Sequence, residues 1–151
     1  MVTFDEVGQR ILIDRLRSFE RLAGFAMPAD YAQFLLTWNG GSPTPCDIAI
    51  ADFPGGETDV RYLFGLDAEL SSCDLEKGFL SLREELGPDV LPIGHDSCGG
   101  LFCIRARAGD SPHERVGAVS LVLFQFQEAF WYSVAEGFTE FLGMLTDLGD
   151  K

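Results

Sequence analysis

At 151 residues the chain is one domain's worth, long enough to bury roughly 70% of its unfolded surface around a single core without a disulfide or metal staple. Hydrophobic residues make up 46% and charged residues 23%, a balance that argues against disorder. Asp plus Glu 24 against Lys plus Arg 11 gives a net charge of −13, a field that repels nucleic acid and anionic membranes alike.

No apolar run approaches the about 20 residues that a membrane span needs. The start, Met1-Val2-Thr3-Phe4-Asp5-Glu6, lacks the basic opening of a signal peptide, so the cytoplasm is the expected location. Cys46, Cys73, Cys98 and Cys103 contain no CxxC pair and are expected to be free thiols, with Cys103 buried.

Thr3 and Glu6 have capping-box spacing, and Phe4, Val7, Ile11, Leu12, Leu16, Phe19 and Leu22 recur at helical intervals after them. This pattern predicts a first helix of about five turns, ended by Gly24, with Arg10, Arg15, Arg17 and Arg21 on its solvated face. Pro28 suits the first turn of a second helix, whose face is Tyr31, Phe34, Leu35 and Trp38, and Asn39-Gly40-Gly41 stops it. Two large aromatics on that face predict burial against a sheet, with Trp38→Ala costing about 3 to 5 kcal/mol.

Residues 47–53 read as a strand, 54–56 as a turn, and the alternation of Val60, Tyr62 and Phe64 as a second strand, together a candidate hairpin. Leu75, Phe79, Leu82 and Leu86 line a third helix that ends before Gly87-Pro88. Two short apolar runs, 91–93 and 101–104, flank a turn containing Asp96, Gly99 and Gly100, the signature of a central hairpin. Residues 107–115 form a polar loop and 116–126 the longest strand, apolar on both faces. Ser133 and Glu136 repeat the capping-box spacing before a closing helix through Val134, Phe138, Phe141, Leu142, Leu145 and Leu148.

Helices at both ends with hairpin-joined strands between them predict an α+β fold. We expect a single domain over 1–151, with a mostly antiparallel sheet of about five or six strands and helices packed on it. Catalytic constellations are weak. His95, Asp96, Cys98 and Cys103 lie close in sequence but lack the paired cysteines of a structural zinc site. Cys98 with His95 or His113 could be drawn as a nucleophile pair, yet neither histidine sits in a protease-like or transferase-like context. The glycine-rich 94–100 segment lacks the Walker lysine and leads into a strand, so Asp96 reads as a turn former bonding nearby amides. Neither a cofactor nor a metal is expected.

The stretch Leu22-Ala23-Gly24-Phe25-Ala26-Met27-Pro28-Ala29-Asp30-Tyr31, followed by Phe34-Leu35-Leu36-Thr37-Trp38-Asn39-Gly40-Gly41, resembles the opening motif of the SUKH superfamily. That superfamily contains the fungal cell-wall assembly regulator domain and many bacterial immunity proteins. Later landmarks keep the order: Phe64-Gly65-Leu66; Leu91-Pro92-Ile93-Gly94 with Asp96, Gly99, Cys103 and Ile104; Gly117-Ala118-Val119; and Phe138-Thr139-Glu140-Phe141-Leu142. The chain departs from many relatives at Ser120-Leu121-Val122-Leu123-Phe124-Gln125, where they carry an aromatic residue and a Trp-Asp pair.

The resemblance implies a non-enzymatic binding module, typically an immunity protein that neutralises a polymorphic toxin, often a nuclease, by sitting on it. A regulatory scaffold for endogenous partners, as in the fungal branch, is the competing class. Charge agrees in kind with a basic partner: residues 42–100 carry 12 acidic and 3 basic side chains, net −9. The candidate contact residues are Asp47, Asp52, Glu57 and Asp59 on the predicted hairpin and Asp67, Glu69, Asp74 and Glu76 on the following segment.

Overall fold

The second helix forms where Pro28 takes the N-cap position, with φ −52°, and α2 (Ala29–Thr37) then buries Tyr31, Phe34 and Leu35. It follows α1 (Ile13–Ala23), which Gly24 ends in a left-handed conformation at φ 86°. A computed structural model describes residues 2–111 and 114–148; His113 lies outside the described residues.

The start of the chain corrects the expected five-turn helix. Thr3–Asp5 is a strand, β1, and α1 begins only at Ile13. β1 pairs antiparallel with β2 (Ser42–Thr44), and from there Phe4 packs its ring 5.1 Å from Phe34 and 5.2 Å from Trp38. Ile11 is buried as well. An extended segment thus meets the same apolar demands that helical spacing imitates, and tertiary pairing overrides the local capping signal.

After β2, the strands β3 (Asp47–Ala49) and β4 (Glu57–Asp59) form a small antiparallel hairpin. The expected partner of residues 47–53 was 60–64, but the chain turns back earlier, with Ile50 N–H donating to Gly56 O at 3.0 Å. Residues 62–63 instead become β5 (Tyr62–Leu63), the first strand of the main sheet. A single 3₁₀ turn (Ser71–Cys73) precedes α3 (Leu75–Leu86), after which come β6 (Val90–His95), β7 (Leu101–Arg105), β8 (Val119–Gln125), β9 (Glu128–Ala135) and α4 (Phe138–Gly143).

The main sheet runs β5-β6-β7-β8-β9, antiparallel throughout, so the chain is α+β with the central 91–104 hairpin in place. One face carries Leu91, Phe102, Ile104, Val119 and Leu121 into the principal core, where they meet α1, α2 and α4. Phe102 lies 5.3 Å from Phe141, and Phe138 lies 5.0 and 5.1 Å from Tyr31 and Phe34. On the other face Val90, Cys103 and Val122 pack beneath Leu86 and Leu82 of α3. Cys103 is buried, and burial pushes its thiol acidity far down, that is, its pKa up. The other three thiols are also free. Among the described residues no helix is long and apolar enough to cross a membrane.

The closing helix is shorter than its sequence pattern. Ser133 lies in β9 and caps nothing; α4 starts at Phe138 behind Gly137, and its first amides are met from α2, where Asp30 accepts from the Thr139 N–H and hydroxyl, both at 2.9 Å. The strand β9 was not expected. Its turn, Phe126-Gln127, holds φ of 53° and 65°, the geometry of a two-residue hairpin that Asn-Gly usually announces, so the turn has no sequence signal.

Trp38 is 36% exposed rather than buried, because it caps the end of α2 and only one side of its indole meets Phe4. Trp38→Ala is therefore expected to cost about 2 kcal/mol, below the full-burial range, measured by urea unfolding. Tyr31 offers the opposite test. Its hydroxyl is fully buried with no hydrogen-bond partner among the described residues, and burial pushes its pKa well above the ordinary 10.0. Tyr31→Phe should stabilise the fold by about 1 kcal/mol, raising Tm by a few degrees. Because the buried phenol keeps its proton at pH values where the unfolded chain loses it, stability is unaffected below about pH 10 and falls as pH rises above it, so the wild type should lose stability there faster than Tyr31→Phe does.

Candidate functional site

Asn39 is the polar group that the core cannot do without. It is 1% exposed, sits just past α2 at φ 52°, and its side chain satisfies backbone from two other segments. Nδ2 donates to Gln9 O at 2.7 Å and Leu66 O at 2.9 Å, while Oδ1 accepts from Leu66 N–H at 2.8 Å. Its own carbonyl accepts from Gly8 N–H at 3.2 Å. The approach is so close that a Cβ on Gly65 or Gly8 would collide with the Asn39 carbonyl oxygen, which is why glycine stands at both positions.

The two segments held by Asn39 are the walls of a cleft of about 540 Å³, inside the size range of ligand pockets. Glu6, Val7, Gly8 and Gln9 form one wall, and Asp67, Ala68, Glu69, Leu70 and Cys73 the other. Arg61, Tyr62 and His95 lie between them on β5, β6 and the approach to β5. Tyr62 donates its hydroxyl to Glu6 O at 3.0 Å, tying floor to wall. Its pKa is raised, first by burial and then by Cys73 and Glu6. Glu6 and Asp67 both adopt positive φ, 55° and 60°, a strained conformation for side chains of this kind that turns each wall into the cleft.

Arg15 fixes the Asp67 wall from outside. It reaches from α1 with Nε and a terminal nitrogen on Asp67, both at 3.0 Å, and the same terminal nitrogen lies 3.0 Å from Glu76. Hydrogen bonding to Asp67 is the leading cause of its raised pKa; desolvation opposes it and Glu76 adds to it. Arg15 is thus a bridge between α1, the cleft wall and α3, while the sequence pattern placed it on a solvated face.

The eight acidic candidates divide accordingly. Asp67 and Glu69 line the cleft, and Glu76 adjoins it through Arg15. Asp74 is buried: it caps α3 by accepting from Lys77 N–H and also accepts from Ala68 N–H, both at 3.0 Å. Asp47 accepts from Leu148 N–H at 2.9 Å while its backbone pairs with Thr146. Asp59 accepts from the Ser97 N–H at 2.8 Å and from the Ser97 hydroxyl. Asp52 and Glu57 are exposed on the β3–β4 hairpin, outside the cleft lining. Glu6, Arg61, Tyr62 and His95 were not singled out by sequence as contacts, since a wall contributed by residues 6–9 has no local motif.

Asp96 is the turn former expected. Its buried carboxylate accepts from Cys98 N–H at 2.9 Å, Gly100 N–H at 2.6 Å and the Thr58 hydroxyl at 2.8 Å. His95 places Nδ1 3.0 Å from Asp96 O, and its ring lies 5.8 Å from that of Phe64, whereas Cys98 is exposed on the turn. Among the described residues no group of three or more His, Cys, Asp or Glu is placed to hold a metal ion. Carboxylates on both walls with a phenol and an imidazole between them suit recognition of a cationic, hydrogen-bonding group, while the Arg61 guanidinium offers donors to an acceptor beside it.

Fold and cleft together define an α+β domain with an acid-rimmed groove of about 540 Å³ beside the edge strand β5. The chain matches the SMI1 / KNR4 family (SUKH-1) over residues 11–144, and it belongs to that family. No match was found among curated proteins.

Removing the Asn39 amide should strand the Leu66 N–H and two carbonyls at once. Asn39→Ala is expected to cost about 3 kcal/mol or more, read by urea unfolding, and faster hydrogen exchange at Gly8 and Leu66 should accompany it.

Proposed function

We propose that the protein is a non-enzymatic immunity protein that neutralises a cognate toxin, most simply a nuclease domain, by binding the toxin's cationic surface in and around the cleft. The observation that carries this reading is the cleft itself: Glu6, Asp67 and Glu69 on its walls, in a chain of net charge −13. Membership of the SUKH family supports a protein–protein role. A nuclease must hold phosphates, so its working surface is basic, and an acidic domain is steered onto that surface and competes there with nucleic acid.

Strained backbone at Glu6 and Asp67 has a place in this reading. The Asn39 amide and the Arg15 fork set both walls before a partner arrives, so little ordering has to accompany binding. Glu69 is exposed and has no hydrogen bond or ion pair among the described residues, which leaves it the natural first contact for a partner's lysine or arginine.

Charge reversal at Asp59 would break the link to Ser97, so the informative variants are Glu69→Lys and Asp52→Lys. With a toxin nuclease domain encoded beside this protein as partner, the association rate should fall steeply as salt rises. Glu69→Lys should slow it about tenfold, and Asp52→Lys, outside the cleft, should slow it less. Rates insensitive to salt and to both reversals would leave the acidity as a solubility trait and move the binding site elsewhere.

A further inference from the structure

The β8–β9 hairpin carries a surface unlike the rest of the molecule. Of the five exposed Phe and Trp side chains among the described residues, four lie on it: Phe124, Phe126, Phe130 and Trp131. Phe126, at the tip, is 95% exposed. Residues 124–135 include one charged side chain, Glu128, in a chain of net −13.

β9 is also the open edge of the main sheet. The two-residue turn makes Gln125 and Glu128 a hydrogen-bonded pair, and alternation then directs the N–H and C=O of Phe130 and Tyr132 toward β8. The backbone groups of Ala129, Trp131 and Ser133 point outward, and none bonds to another described segment. The edge carries no proline, no lysine and, up to Ser133, no bulge, so the devices that usually protect an edge strand are missing.

We propose that β9 pairs with β9 of a second copy of this chain, antiparallel about a two-fold axis at Trp131, joining two five-stranded sheets into one. The register that pairs all three outward residues sets Trp131 opposite Trp131 and Ala129 opposite Ser133. Phe130 then falls opposite Tyr132 on one face, and Glu128 opposite Val134, so no like charges meet. The same register brings Phe126 to the level of Glu136 in the other copy, where Val134, Glu136 and Glu140 help line a cavity of about 120 Å³. Each exposed tip thereby meets a recess, and the two-fold axis closes the contact. Charge decides between occupants: a cationic partner finds one carboxylate along this strand, whereas a second copy meets its own neutral, aromatic surface.

The test is sedimentation velocity on the full chain from about 5 to 500 μM, at about 0.05 and 0.5 M salt. A monomer–dimer equilibrium is expected, and it should tighten with salt because screening relieves repulsion between two copies of net −13, opposite in sign to toxin association. Trp131→Glu, which sets like charges face to face at the axis, should weaken the dimer at least about tenfold. Ala129→Pro should do the same by removing an outward donor without touching the β8 ladder. Phe126→Ser alters an almost fully exposed side chain, so any weakening it causes cannot be ascribed to monomer unfolding. A monomer throughout the range at both salts, a dimer indifferent to all three substitutions, or burial of this hairpin only when toxin is added would overturn the proposal.

Discussion

One buried amide holds three parts of the chain in register. Asn39 leaves α2 in a left-handed turn and, through four hydrogen bonds that include its own carbonyl, takes up backbone groups of Gly8, Gln9 and Leu66. The N–H and C=O of buried Leu66 would otherwise lack partners, a situation that costs about 1 to 3 kcal/mol each. The next residues extend the link, since Gly41 and Leu63 exchange hydrogen bonds at 2.9 and 2.8 Å and so attach the end of α2 to β5. The sheet edge, the N-terminal segment and the loop before α3 therefore depend on one side chain that carries no charge and touches no solvent.

From that constraint the cleft follows. Its walls are short irregular segments, which on their own would be mobile; Asn39 holds them from beneath and Arg15 from outside. Rigid backbone with exposed carboxylates is a suitable arrangement for binding a cationic partner without a large ordering cost. A second staple, Asp96 with Thr58 and Asp59 with Ser97, attaches the β3–β4 hairpin to the turn of the central hairpin. Several carboxylates of the acidic middle third are thus structural, and the accessible charge is concentrated on fewer residues than the sequence count suggests.

Long periodic segments were legible in the sequence: α2, α3 and the central β6–β7 hairpin appear where apolar spacing placed them. The N-terminal strand was not, because Phe4 and Ile11 meet the core from extended chain while imitating a helix face. β9 was hidden by a turn lacking Asn or Gly and by Ser133 and Glu136, whose spacing mimics a cap. In the candidate site Asp67 and Glu69 were within reach of composition and loop placement. Glu6, Tyr62 and His95 were not, since the cleft is assembled by contacts across more than 50 residues of sequence, such as Tyr62 to Glu6. Asn39 itself reads as an ordinary helix terminator; only the close packing of Gly8 and Gly65 against it reveals its second role.

In the proposed complex a cationic toxin partner occupies the cleft that Asn39 supports. Amide hydrogen exchange of the complex with the toxin domain tests it most directly, because exchange reports backbone protection residue by residue. New protection is expected at residues 6–9 and 67–70, with little change across α3. Unchanged exchange at both walls, with protection appearing on another surface, would contradict it.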